Sequence, residues 1–267
     1  MNSPIKWMGG KFRLRKRIVG MLPQDHLCYV EVFGGAGWVL FSKNPSKVEV
    51  FNDINGELIN FFKVIRNRPS EFIETCIYLL VSREIFDEYK NARLDSLSEV
   101  ERAVRFYYLV HFSFGARMQS FIISPTGVKI ALKTLEQEIK LTRERLLNTI
   151  IENRDFELLI KSYDRQSTLF YCDPPYYGLT GYRSQGSGNF TVEDHIRLRD
   201  ALARTKGRFL LSINDHPDVR ELYQGFNMVN VDVRYSVSRV DKSSLKKELL
   251  ISNYDTSLAN EQVAAAA

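Results

Sequence analysis

The segment LFYCDPPYYG (169–178) ends an apolar run in a carboxylate, two consecutive prolines and two tyrosines. Proline fixes its own backbone and restricts the residue before it, so Asp173, Pro174 and Pro175 continue neither a helix nor a regular strand ladder. They form a stiff loop after a buried strand, with acceptors held in place before anything binds. Whether the loop is mere punctuation or a reactive site depends on what else the chain carries; as a site, it suits the following chemistry. The exocyclic amine of adenine is a weak nucleophile because its lone pair is delocalised into the ring. If that amine donates hydrogen bonds to the Asp173 carboxylate and the Pro174 carbonyl, the nitrogen can become pyramidal and aim its lone pair at an electrophilic methyl group. Fixed acceptors leave little to reorganise during reaction. Tyr176 then stacks on the base, an interaction worth about 1–3 kcal/mol. A base inside a duplex reaches such a pocket only by flipping out. No metal and no covalent nucleophile are required.

A second group of residues suits a nucleoside. EVFGGAGWVLF follows a strand candidate, and its glycines allow a tight turn and the close approach of a ligand. The dinucleotide fingerprint needs a third glycine three residues after its second; after Gly35 and Gly37 that position is Leu40, which disfavours an oxidoreductase. Asp53, in VFNDIN after the next strand candidate, stands where an acid can accept from both ribose hydroxyls, and equally where a helix cap would stand. The incomplete glycine pattern, the strand-end acid and D-P-P-Y together suggest S-adenosylmethionine, a nucleoside with a methionine tail and no pyrophosphate.

These residues need a scaffold. CYVEVF (28–33), VEVF (48–51), TLFYC, RFLLSI and FNMVNVDV are strand candidates. ELINFFKVIRN (57–67) places Leu58, Phe61, Phe62 and Ile65 at helical spacing, and LKTLEQEIKLTRERLL places Leu132, Leu135, Ile139, Thr142 and Leu146 on one face. TVEDHIRLRDALA opens with Thr191 and Asp194 at capping-box spacing; Val192, His195, Leu198 and Leu202 share a face, so His195 reads as a packing residue. RYSVSRVDKSSLKKELLISNY reads as a hairpin with a basic turn. The layout is an α/β sheet domain, 1–66 plus 150–260, split by a helical insert, 67–149, rich in Arg, Lys and aromatics; 261–267 reads as a cloning-derived tail.

Composition sets limits. With 267 residues, 44% apolar and 26% charged, the chain is an ordinary globular protein with room for a large core. A net charge of +5 mildly favours a polyanionic partner. Cys28, Cys76 and Cys172 are widely spaced, which fits buried thiols in a reducing cytoplasm and neither a disulfide framework nor a zinc site. No segment reads as a signal peptide or a membrane span.

The motifs, in their order along the chain, resemble the Dam-type (D12 class, alpha group) DNA adenine-N6 methyltransferases. KWMGGK (6–11) resembles that family's opening K-W-x-G-G-K, VEVFGGAG its cofactor glycine motif and NDIN its acidic motif. NRDF (153–156) resembles its next element, YCDPPYYG its catalytic motif and KELLISNY its closing strand. The resemblance implies a Rossmann-like S-adenosylmethionine-dependent methyltransferase sheet, a mostly helical target-recognition insert and a C-terminal β-hairpin. It implies a catalytic role for Asp173, Pro174, Pro175 and Tyr176. Cofactor contacts are implied for Trp7, Lys11, Glu31, Phe33, Gly35 and Gly37, for Asp53 at the ribose, for Asp155 and Phe156 at the adenine, and for Asp173 itself. DNA contacts are implied for Lys6, Ser113, Arg117, Tyr177, Arg239 and Lys242.

The insert departs from the family pattern, an N-R-x-x-x-N-G-like stretch followed by an arginine. VHFSFGARMQS carries His111 where an arginine is expected, while Phe114, Gly115 and Arg117 keep part of the pattern. Arg117 either grips a guanine edge or holds a phosphate, so GATC is the family default rather than a site this loop establishes. Arg234, Arg239, Lys242, Lys246 and Lys247 form either phosphate contacts or a solvated basic turn. The expectation is a cytoplasmic enzyme of the bacterial nucleoid or a phage-infected cell. It uses S-adenosylmethionine, releases S-adenosylhomocysteine, needs no metal or membrane, and acts on double-stranded DNA as a monomer or as a dimer on DNA. Alternatives are methylation of an RNA adenine or a protein glutamine amide, disfavoured by a large basic insert, and a catalytically inactive DNA-binding homologue, disfavoured by intact Asp173 and Tyr176.

Overall fold

The computed structural model describes residues 1–7, 9–122, 132–178, 190–234 and 245–256, without the side chains at 132–133, 233–234 and 245–246. Seven strands form one sheet among these residues: β1 (Cys28–Glu31), β2 (Val48–Asn52), β3 (Thr149–Glu152), β4 (Thr168–Cys172), β5 (Arg208–Asn214), β6 (Asn227–Arg234) and β7 (Leu245–Ser252). Their order is β3-β2-β1-β4-β5-β7-β6. The first five run parallel. β7 enters antiparallel between β5 and β6, so the final hairpin expected from the sequence is present, with its turn outside the described residues. A parallel sheet is covered on both faces, which is why TLFYC and RFLLSIN are nearly continuous apolar runs rather than alternating ones.

Helices supply both covers. On one face lie α1 (Arg15–Met21), α2 (Gly56–Asn67), α3 (Pro69–Ile77), α4 (Arg83–Asn91), α5 (Glu99–His111) and α6 (Leu132–Leu146); on the other lie α7 (Phe156–Tyr163), α8 (Val192–Arg204) and α9 (Pro217–Leu222). α2 starts at Asn55, whose side chain accepts from the amides of Glu57 and Leu58, and it buries Leu58, Phe61, Phe62 and Ile65 as its spacing requires. Further apolar positions on α2 are buried too, because the helix is wedged between the sheet and the following helices. α5 opens with a Ser98–Glu101 capping box and α8 with the Thr191–Asp194 box read from the sequence. On α8, His195, Leu198 and Leu202 are buried, but Val192 is 47% exposed: in the first turn it lies beyond the rim of the core.

Of the helices of 67–149, α3, α5 and α6 pack over α2, and α6 also meets β3. Phe72, Val104, Phe106, Leu135 and Ile139 lie in one apolar cluster with Tyr29, Phe51 and Leu210 of the strands. A smaller cluster of Phe86, Tyr108, Leu109 and Phe112 holds α4 against α5. Among the described residues, no helix is long and apolar enough to cross a membrane.

Candidate active site

Parallel strands leave a crevice at their carboxyl ends, and here β1, β2 and β4 open onto a cavity of about 200 Å³. Its floor is the turn after β1. Gly35 and Gly37 adopt φ of 49° and 69°, which side chains rarely tolerate. A Cβ on Gly34 would lie 2.4 Å from the Phe51 ring and one on Gly35 2.9 Å from Trp7. The wall is therefore bare backbone. Gly35 faces the cavity, whereas Gly37 packs the turn onto Phe41 and does not line it.

Asp53 ties this turn to β2. Its Oδ2 accepts from the Gly35 amide and its Oδ1 from the Asn55 amide, both at 2.9 Å. Asn55, not Asp53, caps α2. Burial pushes the Asp53 carboxyl up, against the pull of those amides. Glu31 lies deeper. Its Oε2 accepts from the Tyr29 hydroxyl at 2.7 Å and the Leu40 amide at 2.8 Å, and burial raises its pKa to about 8.

The rings of Phe33, Phe156 and Phe190 stand 5.7, 5.6 and 5.6 Å apart and form an apolar end to the cavity. Phe190 has no local sequence signal; only the fold brings it here. Asp155 lines the cavity, but its side chain also caps α7 and pairs with Arg197 at 3.1 Å. Trp7 and Lys11 reach the cavity from the amino-terminal segment.

The proline loop stands opposite. Asp173 Oδ1 pairs with Lys11 Nζ at 2.7 Å and accepts from the Ser212 hydroxyl at 3.2 Å. Ser212 in turn lies 3.0 Å from the Tyr171 hydroxyl. Burial raises the Asp173 pKa to about 6, Lys11 pulls it down and Glu248 pushes it up. Pro174 and Pro175 line the cavity. The Tyr176 ring does not: it is 8% exposed, and its hydroxyl donates to Glu248 Oε1 at 2.5 Å. The loop is clamped to the end of β5, since the Tyr177 amide donates to Asn214 Oδ1 and the Asn214 amide donates to the Tyr177 carbonyl. The Tyr177 ring sits 5.1 Å from His195 and 5.0 Å from His216. His195 is buried, which lowers its pKa to about 4 and keeps it neutral, consistent with a packing residue.

The expected DNA side is less uniform. Lys6 is exposed and acts on His111, whose pKa burial and that ammonium both lower. Beyond α5, Gly115, Ala116 and Met118 take left-handed conformations with φ of 61°, 59° and 57°, and Phe114 is 52% exposed. Ser113, expected at DNA, is buried, and its hydroxyl accepts from the Met118 amide at 2.9 Å inside this turn. Arg68, Arg93, Arg102 and Arg145 pair with acids. The Arg117 guanidinium has no hydrogen bond or ion pair among the described residues. Across 67–149, acids nearly match bases in number. The insert is therefore not basic as a whole, and its cations act through placement. Arg239 and Lys242 lie outside the described residues, as do the side chains of Arg234 and Lys246; Lys247 is exposed on β7. Among the described residues, no group of His, Cys, Asp and Glu could hold a metal ion.

Comparison with known proteins bears on this geometry. The family described as D12 class N6 adenine-specific DNA methyltransferase matches residues 7–237. The chain belongs to this family. Type II methyltransferase M1.LlaDCHI of Lactococcus lactis subsp. cremoris is 32% identical over 276 residues, covering 93% of this chain and 94% of that protein. The DNA adenine methylases of Haemophilus influenzae and Escherichia coli K12 are 28% and 26% identical. The first covers 92% of this chain and 91% of its own length, the second 94% of each. The enzyme is thus an adenine-specific DNA methyltransferase, with DNA as its substrate and a methyl donor as the second reactant. The family resemblance carried by the motifs and the α/β fold expected from them both hold.

Proposed function

We propose that this methyltransferase uses S-adenosylmethionine to methylate the N6 amine of an adenine flipped out of a short, specific duplex site, with GATC the first sequence to test. The observation that carries the reading is the Asp173 carboxylate. It is half-buried beside the cavity on a proline-locked turn, with Lys11 and Ser212 both on Oδ1, so that among the described residues Oδ2 remains to accept from an amine.

The cavity residues fit the cofactor. The bare turn at Gly35 admits close approach, Asp53 offers a carboxylate to ribose hydroxyls, and Phe33, Phe156 and Phe190 form an apolar slot for a purine. When bound, S-adenosylmethionine supplies a methyl group on a positively charged sulfur. Asp173 and the Pro174 carbonyl would hold the two amine protons and direct the nitrogen lone pair toward the cavity. Asp173, ionised above a pH of about 6, can also take the proton that the amine sheds after methylation. Tyr176 is nearly covered, so stacking on the target base requires its surroundings to open when DNA binds.

Segment 67–149 is assigned to target recognition, with Arg117 as the reader. The support is its position on a loop that also exposes Phe114 and adjoins Lys6 through His111. Asp173→Ala is expected to abolish methyl transfer while binding of S-adenosylmethionine and of DNA persists; near-parental turnover refutes the role. Long-read sequencing of DNA from cells expressing the protein would report activity and recognition site together.

A further inference from the structure

We propose that Glu248 is a positioning residue of the methyl transfer: from β7 it fixes the Tyr176 ring and shares Lys11 with Asp173, which keeps Asp173 a strong hydrogen-bond acceptor. The proposal rests on Asp173 being the group that receives the adenine amine.

Glu248 is 1% exposed, in register with Asn214 of β5. A carboxylate so deep is strongly unfavourable unless it is paired and hydrogen-bonded. Its Oε1 accepts the Tyr176 hydroxyl at 2.5 Å, and its Oε2 lies 3.4 Å from Lys11 Nζ. That ammonium is 2.7 Å from Asp173 Oδ1, donates to the Tyr176 oxygen at 3.3 Å, and stands 4.6 Å from the Tyr176 ring centre. Lys11, Glu248 and Tyr176, from the amino-terminal segment, β7 and the proline loop, thereby close a ring, and Asp173 joins it through Lys11.

The ring has two consequences. Tyr176 is held at its hydroxyl tip as well as through the backbone of its loop, so the ring plane is set before a base arrives. A lysine facing Asp173 alone would form a tight ion pair, and an acceptor so neutralised polarises an amine weakly. A second carboxylate on the same ammonium leaves the cluster with two negative groups and one positive group, which preserves the basicity of Asp173. The other groups around Asp173 are the Ser212 and Tyr171 hydroxyls, buried Glu31 and the buried Cys172 thiol, and Lys11 is the cation that acts on it. Glu248 is thus the carboxylate that offsets Lys11 at Asp173.

The test uses S-adenosylmethionine with a labelled methyl group, adenine-unmethylated plasmid DNA and initial rates from acid to alkaline pH. The enzymes compared are the parent, Glu248→Gln, Glu248→Asp, Tyr176→Phe and Asp173→Asn. Melting temperature and S-adenosylmethionine affinity establish that each is folded. Glutamine keeps the acceptor for Tyr176 but removes the charge. Its kcat should fall about tenfold or more with KM for DNA within about twofold. The acid limb should move to lower pH, because Asp173 ionises more easily without a neighbouring negative charge. Glu248→Asp retains the charge and should keep the parental acid limb, while Tyr176→Phe should raise KM for DNA and leave that limb in place. Parental kcat and acid limb in Glu248→Gln, or a shifted limb in Glu248→Asp, overturns the proposal. If Asp173→Asn turns over normally, the acceptor role of Asp173 itself falls and this proposal with it. If Asp173→Asn is dead and Glu248→Gln is parental, only the role of Glu248 falls.

Discussion

Replacing Asp53 with asparagine separates two duties that this side chain combines. Its two oxygens each hold one amide, Gly35 on Oδ2 and Asn55 on Oδ1, at 2.9 Å. Asparagine provides one acceptor and sets an NH2 group against the second amide, leaving a buried donor unmatched at a cost of about 1–3 kcal/mol. Relief of the desolvated charge, which raises the Asp53 carboxyl, offsets part of that cost. The net stability loss should be about 1 kcal/mol, a few degrees in melting temperature. Cofactor binding should suffer more. If both ribose hydroxyls donate to the carboxylate, the variant loses one or two charge-assisted bonds of about 1.5–3 kcal/mol each, a rise in Kd of about tenfold for one weak bond to about ten-thousandfold for two strong ones. Titration calorimetry with S-adenosylmethionine, beside a thermal melt, reads both quantities. A lowered melting temperature with Kd within about twofold of the parent would refute the ribose assignment and leave Asp53 as a tether for the turn.

Three further outcomes can be checked. Arg117→Ala should relax or weaken site choice by about 1–3 kcal/mol at one base pair; unchanged discrimination on a panel of altered sites would place the reader elsewhere. Glu31 has a pKa raised from 4.5 to about 8, so its stabilising contribution is full below 4.5 and disappears as pH rises through 8. Glu31→Gln should therefore flatten the decline of melting temperature across that interval, and parallel curves for parent and variant would contradict the assignment. Gly34→Ala would force a Cβ to 2.4 Å from Phe51 and 2.9 Å from the Asn52 carbonyl. A stability loss of about 1–3 kcal/mol in urea is expected, and a neutral result would mean that the turn can retreat.

What the sequence made legible was local. Two prolines after a carboxylate, glycines after a strand and an acid after the next strand are short-range patterns whose chemistry survives without coordinates. Likewise, Thr191 and Asp194 form the cap that their spacing implied. What stayed hidden depends on strand order. Asp53 could be read as a cap or as a ligand-facing acid, and only the amide of Gly35, eighteen residues earlier, shows that it fastens the turn. Lys11 reads as a cofactor contact, yet it is also buried against Asp173. Ser113 suited a polar DNA contact until the left-handed turn at Met118 took up its hydroxyl. Phe190 carried no motif weight and Glu248 stood in KELLISNY only as part of a closing strand, because crossover connections and the β7 insertion bring them into place.

That insertion has a consequence for biosynthesis. When the nascent polypeptide has emerged through β6, both β5 and β6 still lack the neighbour that joins them, since β7 alone lies between them. Ribosome-bound or prematurely terminated products therefore display unsatisfied sheet edges, the feature that proteases and chaperones detect. The same late strand delivers the carboxylate beneath Tyr176. Completion of the fold and readiness of the enzyme arrive together, because a copy that stops before β7 lacks both the strand that joins β5 to β6 and the carboxylate that holds Tyr176.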